Sequence, residues 1–263
     1  MRIIIEKDYA SMSAKAADEV MEILKPIAEP LLCPATGDSP KGLYKEMVDR
    51  ILKSKTDVSG WHFIGLDEWV GMNGSDEGSC RFHLDNELLK PLKIQTDNII
   101  FFDGRAEDLL EETSKAIFFI KTYEGIDLAM LGLGMNGHIG MNEPGTDSSL
   151  NAHVAEIDPV TQQVGQKYFN QPQKLSGGIT LGIKDIMQAK HVILLISGRK
   201  KAEIARDVLE GEISTQLPAS FLRNHPRCTV YLDEKAASLL EPSTVGEKPC
   251  VFNAKSFNRQ KAT

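Results

Sequence analysis

The 263-residue sequence has only four cysteines, and no two of them stand at the spacing of a metal or redox motif. Cys33, Cys80, Cys228 and Cys250 are widely scattered, which is typical of reduced thiols in a cytoplasmic protein. The histidines show no pair at ligand spacing either. We therefore expect a cytoplasmic protein that has no structural disulfide and no metal site.

The sequence also has no basic tract and few aromatic residues. It contains 30 Lys and Arg against 37 Asp and Glu, a formal charge of -7, and 6% aromatic residues. This balance argues against nucleic acid or an anionic membrane as the main partner, so any anionic ligand must be bound by local groups. No run reaches the ~18 apolar residues of a membrane helix. The first apolar run is stopped by charge within residues 1–8, unlike a signal peptide.

Apolar runs alternate with helical patterns along the chain, and 41% of the residues are hydrophobic. The pattern predicts one three-layer α/β domain over residues 1–240, with a mostly parallel sheet and helices on both faces. Residues 241–263 are polar and contain two prolines, which indicates a loosely held tail. Strands are predicted at 30–33, 61–66, 98–102, 126–133, 179–183, 191–196 and 228–232, and helices at 10–25, 43–51, 79–89, 106–122, 185–189, 200–209 and 234–240.

The stretch 127–145 is the most informative part of the sequence. Residues 126–133 predict a buried parallel strand, and a turn with three glycines follows it. Open α/β sheets bind their ligands at the carboxyl ends of such strands. A tight connection with a satisfied histidine and a solvated glutamate would fit the same pattern. The polar groups of the turn that could move or orient protons are Asn136, His138 and Glu143.

A second loop follows the strand predicted at 30–33 and consists of Thr36, Gly37, Asp38 and Ser39. Ser39 before Pro40 predicts a helix N-cap, so this loop should offer backbone N–H groups to a phosphate. An ordinary capped helix start is consistent with the same residues. The loop has neither the spacing nor the Gly-Lys-Ser/Thr of a Walker motif.

Charged groups follow two other predicted strands. Asp67 and Glu68 come directly after the strand at 61–66, where burial is costly unless they have a partner or a task. Lys201 lies in the first turn of the helix after Ser197-Gly198, against the helix dipole unless an anion is near. The polar segment 146–173 is interpreted either as a mobile flap over a pocket or as a surface loop without a function. The residues together predict a cofactor-free acid–base enzyme for a small phosphorylated metabolite.

Three segments show a resemblance to a known family. They are Gly132-Leu-Gly-Met-Asn-Gly-His-Ile-Gly-Met-Asn-Glu-Pro-Gly145, Leu66-Asp-Glu-Trp-Val-Gly71 and the Thr-Gly-x-Ser-Pro loop at 36–40. Together they resemble the glucosamine-6-phosphate deaminase/isomerase family over about residues 10–235. The resemblance implies a Rossmann-like α/β fold and conversion of an amino-hexose 6-phosphate to a ketose 6-phosphate and ammonia, without a cofactor. The family includes hexameric members, so a homo-oligomer is among the expected states.

The resemblance also implies roles for individual residues. His138, oriented by Glu143, would open the sugar ring, and Asp67 would then move a proton between C2 and C1. We expect the pKa of Asp67 to lie above that of a free aspartic acid because partial burial disfavours its charge. Asn136 stands where some members have Asp and would bind His138. Glu68 is expected to support the site without taking part in the chemistry.

At the other end of the predicted site, the phosphate would lie on the amides of 36–39, with Lys201 as countercharge. Gly137 is included among the predicted substrate contacts. Lys167 aligns with a flap arginine of the family and lacks its bidentate fork. Asp38 replaces a small neutral residue and would oppose the phosphate unless it points away.

Several segments, including Ser79-Cys80, Thr161-Gln-Gln163 and 178–185, are more similar to the galactosamine-6-phosphate branch, and this slightly favours galactosamine 6-phosphate as substrate. The nearest alternative enzyme is a 6-phosphogluconolactonase, but lactonases follow their Gly-His with Ala-Ser-Leu-Phe-Pro instead of Asn-Glu-Pro. A non-catalytic sugar-phosphate regulator is the other alternative. Such regulators have an N-terminal helix-turn-helix and lack the catalytic carboxylates.

Overall fold

Ten strands and eight α-helices alternate along residues 1–175 and 177–245, the part of the chain that this computed structural model describes. The strands are β1 Arg2–Glu6, β2 Leu31–Pro34, β3 His62–Ile64, β4 Asp67–Trp69, β5 Ile99–Ile100, β6 Leu128–Gly132, β7 His153–Glu156, β8 Gly177–Thr180, β9 His191–Ile196 and β10 Cys228–Asp233. The helices are α1 Tyr9–Leu24, α2 Asp38–Ser54, α3 Cys80–Leu84, α4 Leu109–Thr122, α5 Pro159–Gly165, α6 Ile183–Met187, α7 Ala202–Glu210 and α8 Pro242–Val245.

Seven of the strands form one sheet in the order β1-β10-β9-β6-β2-β3-β5, and every neighbouring pair is parallel. The chain builds outward from β2 through β3 to β5, returns to place β6 beside β2, and then builds in the opposite direction. The strand order therefore reverses between β2 and β6, and such a reversal opens a crevice at the carboxyl ends of the two strands.

Strand β6 shows why the sheet is buried on both faces. Leu128 and Met130 pack on one side among residues of α1 and α2, whereas Ala129 and Leu131 pack on the other side with α6 and α7. A strand whose alternate side chains both meet helices must be apolar throughout. The continuous run in the sequence reflects this requirement, and the predicted three-layer α/β fold is confirmed.

A second, three-stranded antiparallel sheet has the order β4-β8-β7. Here the sequence prediction was wrong, because Asp67 and Glu68 were interpreted as a loop and 179–183 as part of the parallel sheet. Strand β7 lies within 146–173 and was not predicted. A local pattern specifies a strand but not its partner, so the departure of these strands from the main sheet was not visible in the sequence.

Other boundaries also differ from the prediction. Helix α2 begins at Asp38 with Gly37 as its N-cap, so Ser39 is not the cap. The edge strand β1 was missed, and the predicted helix at 234–240 is a series of turns. The predicted tail begins with α8, and its remainder from residue 246 lies outside the described residues. Within the described part of the chain, no helix has the length and hydropathy needed to cross a membrane.

Leu131→Ala should test the central position of β6. Leu131 is completely buried, so the cavity left by truncation should lower the free energy of unfolding by about 2–5 kcal/mol. The matched control is Leu110→Ala on α4, where the leucine is 68% exposed and the expected change is within about 0.5 kcal/mol. Urea unfolding measures both values, and equal effects would contradict the assignment of β6 to the core.

Candidate active site

A cleft lies at the carboxyl ends of β2 and β6, where the strand order reverses. It is covered on one side by α5 and the 3-10 turn Gln166–Tyr168 that follows it. The segment 146–173 thus contributes to the cleft wall. The other residues predicted from the sequence that line the cleft are Thr36, Gly37, Asp38, Ser39, Asp67, His138, Lys167 and Lys201.

His138 is held through its Nδ1 atom. Asn136 Oδ1 lies 2.7 Å from this nitrogen, and Asn136 Nδ2 donates to Glu143 Oε2 at 2.8 Å. A carboxylate only accepts hydrogen bonds, so this second contact assigns the amide nitrogen to Glu143 and turns the amide oxygen towards His138. Nδ1 is therefore the protonated nitrogen, and Nε2 retains a lone pair for a ligand in the cleft. Asn136 and Glu143 lie behind His138 and act through it.

Two further oxygens approach Nδ1 of His138. Thr161 Oγ1 is 3.0 Å away and Glu143 Oε2 is 3.4 Å away. Burial by itself would raise the pKa of Glu143, but the hydrogen bond and charge of His138, with the hydrogen bonds of Asn136 and Thr161, lower it below its ordinary value. Glu143 is therefore ionised at neutral pH and stabilises positive charge on the imidazole when Nε2 accepts a proton.

The glycines of the turn allow the ring of His138 to lie against the backbone. A Cβ atom on Gly134 would lie 2.4 Å from that ring, so any side chain at 134 would displace the imidazole. Gly137 has φ +86° and faces Leu217. Its amide donates to the Gly134 carbonyl at 3.3 Å, and it does not line the cleft. The structure thus places Gly137 in the turn that carries His138, and its role as a substrate contact stays a prediction.

Asp67 lines the same cleft as His138, as the sequence predicted for two groups acting on one ligand. Only 8% of the residue is exposed. Burial raises the pKa of Asp67 to about 6, while a hydrogen bond from Cys80 and the charge of His138 act in the opposite direction. The expected upward shift is present, so Asp67 is ionised at neutral pH yet is a stronger base than an exposed aspartate.

Glu68, the neighbour of Asp67 in β4, points away from the cleft. It is fully buried, and its two oxygens accept from the backbone N–H groups of Trp69, Cys80 and Arg81 at 2.9–3.1 Å. Burial raises the pKa of Glu68 to about 7 against the effect of these hydrogen bonds. The carboxylate ties the N-terminus of α3 to β4, which agrees with a supporting role.

The opposite end of the cleft is suited to an anion. Within the described part of the chain, no acceptor pairs with the backbone N–H groups of Gly37, Asp38 and Ser39. These are the first amides of the 17-residue helix α2, which have no partner inside the helix and lie at the positive end of its dipole. Gly37 has φ +143°, a conformation that favours glycine and turns the chain into the helix.

Two lysines lie beside these amides. Lys201 lines the cleft and donates to the Leu133 carbonyl. Burial lowers the pKa of Lys201 to about 8, with a further decrease from the charge of Lys167 and an opposing effect of Asp38. Lys167 Nζ is 2.5 Å from Asp38 Oδ2, and the side chain of Asp38 is 75% exposed. The side chain of Asp38 is thus mostly exposed at the edge of the cleft, and its pairing with Lys167 offsets its charge.

The sequence analysis missed four residues that line this cleft. Thr161, which contacts His138, was used only as part of a branch motif. Tyr168 and His83 pack edge to face, with ring centroids 5.2 Å apart, on the wall beside Asp38. Cys80 lies beside Asp67, and its position on α3 becomes informative only once α3 is placed against β4. Among residues 1–175 and 177–245, no three His, Cys, Asp or Glu side chains converge as ligands for a metal ion.

The sequence of this chain is similar to those of known proteins. Residues 7–231 match the family described as glucosamine-6-phosphate isomerases/6-phosphogluconolactonase. The chain is 37% identical over 245 residues to a glucosamine-6-phosphate deaminase of Clostridium perfringens, covering 92% of this chain and 100% of that protein. It is 34% identical over 248 residues to the enzyme of the same name from Thermoanaerobacter pseudethanolicus, covering 94% and 98%.

Solved structures of other proteins have a similar fold. The fold is similar to that of a monomeric glucosamine-6-phosphate deaminase, with TM-score 0.88, 32% identity and coverage of 91% of this chain and 100% of that one. A 6-phosphogluconolactonase from Trypanosoma brucei is more distant, with TM-score 0.72, 20% identity and coverage of 91% and 98%. At that identity the similarity concerns the fold alone.

Asp67→Asn should change stability in a way that depends on pH. The pKa of Asp67 rises from 3.8 to about 6 on folding, so the free energy of unfolding of the wild type should fall as pH rises through this window. The variant lacks this ionisation, so at neutral pH its free energy of unfolding should exceed that of the wild type by roughly 1–3 kcal/mol. Urea unfolding between about pH 4 and pH 7.5 measures the difference. A difference that does not change with pH would contradict the shifted pKa.

Proposed function

The chain belongs to the family of glucosamine-6-phosphate isomerases and 6-phosphogluconolactonases, and we propose that it deaminates an amino-hexose 6-phosphate to the ketose 6-phosphate and ammonia. The observation that supports this proposal most directly is the presence of Asp67 and His138 in one cleft that also contains Lys201 and amides without a partner in residues 1–175 and 177–245. The named relatives are glucosamine-6-phosphate deaminases along nearly their whole length.

The reaction would begin at His138. Its Nε2 lone pair accepts the proton of the C1 hydroxyl and returns it to the ring oxygen, so the pyranose opens to the aldehyde. The imidazolium formed in between is stabilised by Asn136 and by the ionised Glu143 behind it. Thr161, on helix α5, supplies another oxygen to Nδ1.

Asp67 would then act as the base. It removes the proton from C2 while the aldehyde oxygen O1 takes up a proton from water, which forms an enolamine. It then delivers the C2 proton to C1, which leaves an iminium group at C2, and the proton taken from water is returned when water adds there. Water adds to C2, ammonia leaves, and the C2 ketone remains. A pKa near 6 suits a carboxylate that must take up and release a proton in each cycle near neutral pH.

The phosphate would bind at the amides of 36–39 with Lys201 as countercharge. Backbone N–H groups at a helix N-terminus and a buried ammonium group are both suited to a phosphate dianion. The exposed Lys167–Asp38 pair is worth only about 0–1 kcal/mol, so Lys167 can exchange its carboxylate for a phosphate oxygen at little cost.

The two alternatives from the sequence analysis are less consistent with this cleft. Lactone hydrolysis needs no base for a carbon acid, whereas Asp67 is a buried carboxylate with a raised pKa inside the cleft. A binding protein without turnover would not need the Asn136–Glu143 arrangement that assigns the proton on His138.

The configuration of the substrate at C4 stays a prediction. The relatives are named for glucosamine 6-phosphate, whereas several sequence segments are more similar to the galactosamine-6-phosphate branch. Incubation of the purified protein with each sugar, with ammonia and ketose phosphate as products, tests the reaction and ranks the two epimers. The absence of ammonia from both sugars would overturn the proposed function.

Asp67→Asn should lower kcat by roughly 10²–10⁴-fold because the amide cannot accept the C2 proton. Binding of the sugar phosphate should change little, since the proposed phosphate contacts lie at the other end of the cleft. Glu68→Gln provides the comparison, since the proposed mechanism gives it no proton to transfer. An Asp67→Asn enzyme with wild-type kcat would exclude Asp67 as the base.

Gly134→Ala should also reduce kcat, by about 10²-fold, because the added methyl displaces the ring of His138 that it would otherwise meet at 2.4 Å. The matched control is Gly71→Ala. Gly71 has a positive φ of +89° and no neighbour within 4 Å of an added Cβ, so this change should cost stability without lowering kcat. Similar kcat values for both variants would show that the position of His138 does not limit the reaction.

A further inference from the structure

The hydroxyl of Tyr9, the first residue of α1, lies in the first turn of α2. It accepts a hydrogen bond from the Gly42 N–H and donates one to the Asp38 carbonyl, each at 2.6 Å. Gly42 N–H and Asp38 C=O are also an i to i−4 pair in the first turn of helix α2, which is α-helical from Asp38. The hydroxyl of Tyr9 thus contacts both members of this pair and forms a bridge between them.

The residues around Tyr9 leave room for its ring and fix the start of α1. A Cβ on Gly42 would lie 2.8 Å from both Cζ and the hydroxyl of Tyr9 and 2.3 Å from Ser13 Oγ, so a side chain at 42 would force the ring away. Asp8 caps α1 by accepting from Ser11 N at 2.8 Å and thereby fixes the turn on which Tyr9 lies. Burial raises the pKa of Tyr9, so the hydroxyl keeps the proton that it donates.

The bridge acts on the same peptide group that offers an amide to the anion site. The Asp38 carbonyl and the Ser39 N–H belong to one planar trans peptide, in which the two groups point in opposite directions. When Tyr9 fixes the Asp38 carbonyl, it also fixes the direction of the Ser39 N–H in the same peptide group. This amide is one of the three without a partner among the described residues.

We propose that Tyr9 is a positioning residue for the phosphate site, which fixes the Asp38 peptide in the first turn of α2 so that the Ser39 amide faces the same phosphate group as those of Gly37 and Asp38. The inference rests on the proposed function in assigning a phosphate to these amides. It adds a residue from outside the cleft, since Tyr9 does not line it. Tyr9 acts only through the peptide of Asp38 and not on the reacting carbons.

Tyr9→Phe removes the hydroxyl and keeps the ring. The KM for the amino-hexose 6-phosphate and the Kd for inorganic phosphate should both rise, by about threefold to tenfold, the equivalent of one lost hydrogen bond. The kcat should stay within about twofold, because the groups around His138 and Asp67 are untouched. Gly42→Ala should shift both constants in the same direction by displacing the ring.

The matched control is Tyr231→Phe. Its hydroxyl donates to Glu19, which like Tyr9 lies on α1, at 2.5 Å, and neither Tyr231 nor Glu19 lines the cleft. This variant should lose stability without any change in KM or in phosphate binding, which separates a general loss of helix packing from a specific effect on the phosphate site.

Calorimetric titration with inorganic phosphate distinguishes the two hypotheses, because it needs no turnover. Wild-type protein that binds phosphate but releases no ammonia would overturn the reaction while leaving Tyr9 testable. Folded Tyr9→Phe protein with wild-type phosphate affinity would overturn the positioning role, as would an equal change in Tyr231→Phe. Failure of the wild type to bind phosphate would overturn the positioning role, whereas the release of ammonia decides the reaction separately.

Discussion

The pairing of β2 with β6 is the contact on which the arrangement of the cleft depends. The two strands are far apart in the sequence and lie side by side at the centre of the sheet, in register from Leu32 with Leu128 to Pro34 with Met130. One more hydrogen bond, from Ala35 N to Met130 O at 2.9 Å, continues the pairing beyond the strands. The loop 36–39 and the turn with His138 therefore start from neighbouring points on a rigid base.

Burial and hydrogen bonds shift the pKa values of Asp67 and Glu143 in opposite directions. Asp67 has lost water and has few compensating contacts, so its charge is disfavoured and its pKa is raised. Glu143 is also buried, but its contacts with His138, Asn136 and Thr161 outweigh the loss of water and lower its pKa. Two carboxylates in one site thus have pKa values shifted in opposite directions, as the separate roles proposed for them require.

The anion end of the cleft is organised by groups that do not touch the ligand. Tyr44, within α2, donates from its buried hydroxyl to the Ala35 carbonyl at 2.6 Å, and Tyr9 approaches the same loop from α1. Lys167 pairs with the exposed side chain of Asp38. No side chain caps the N-terminus of α2, so contacts from α1, α2 and the segment after α5 restrain this loop.

The sequence by itself determined the fold class and most of the parallel strands, because a run that is apolar on both faces, as in β6 and β9, can only be buried between two layers of helices. It also located Asp67, His138, Asn136, Glu143 and the 36–39 loop. Only the tertiary structure decided that β4 pairs with β8 in a second sheet and that Thr161 reaches His138. Pairing partners, side-chain directions and contacts such as that of Tyr9 with Asp38 depend on residues distant in the chain, and no local pattern contains that information.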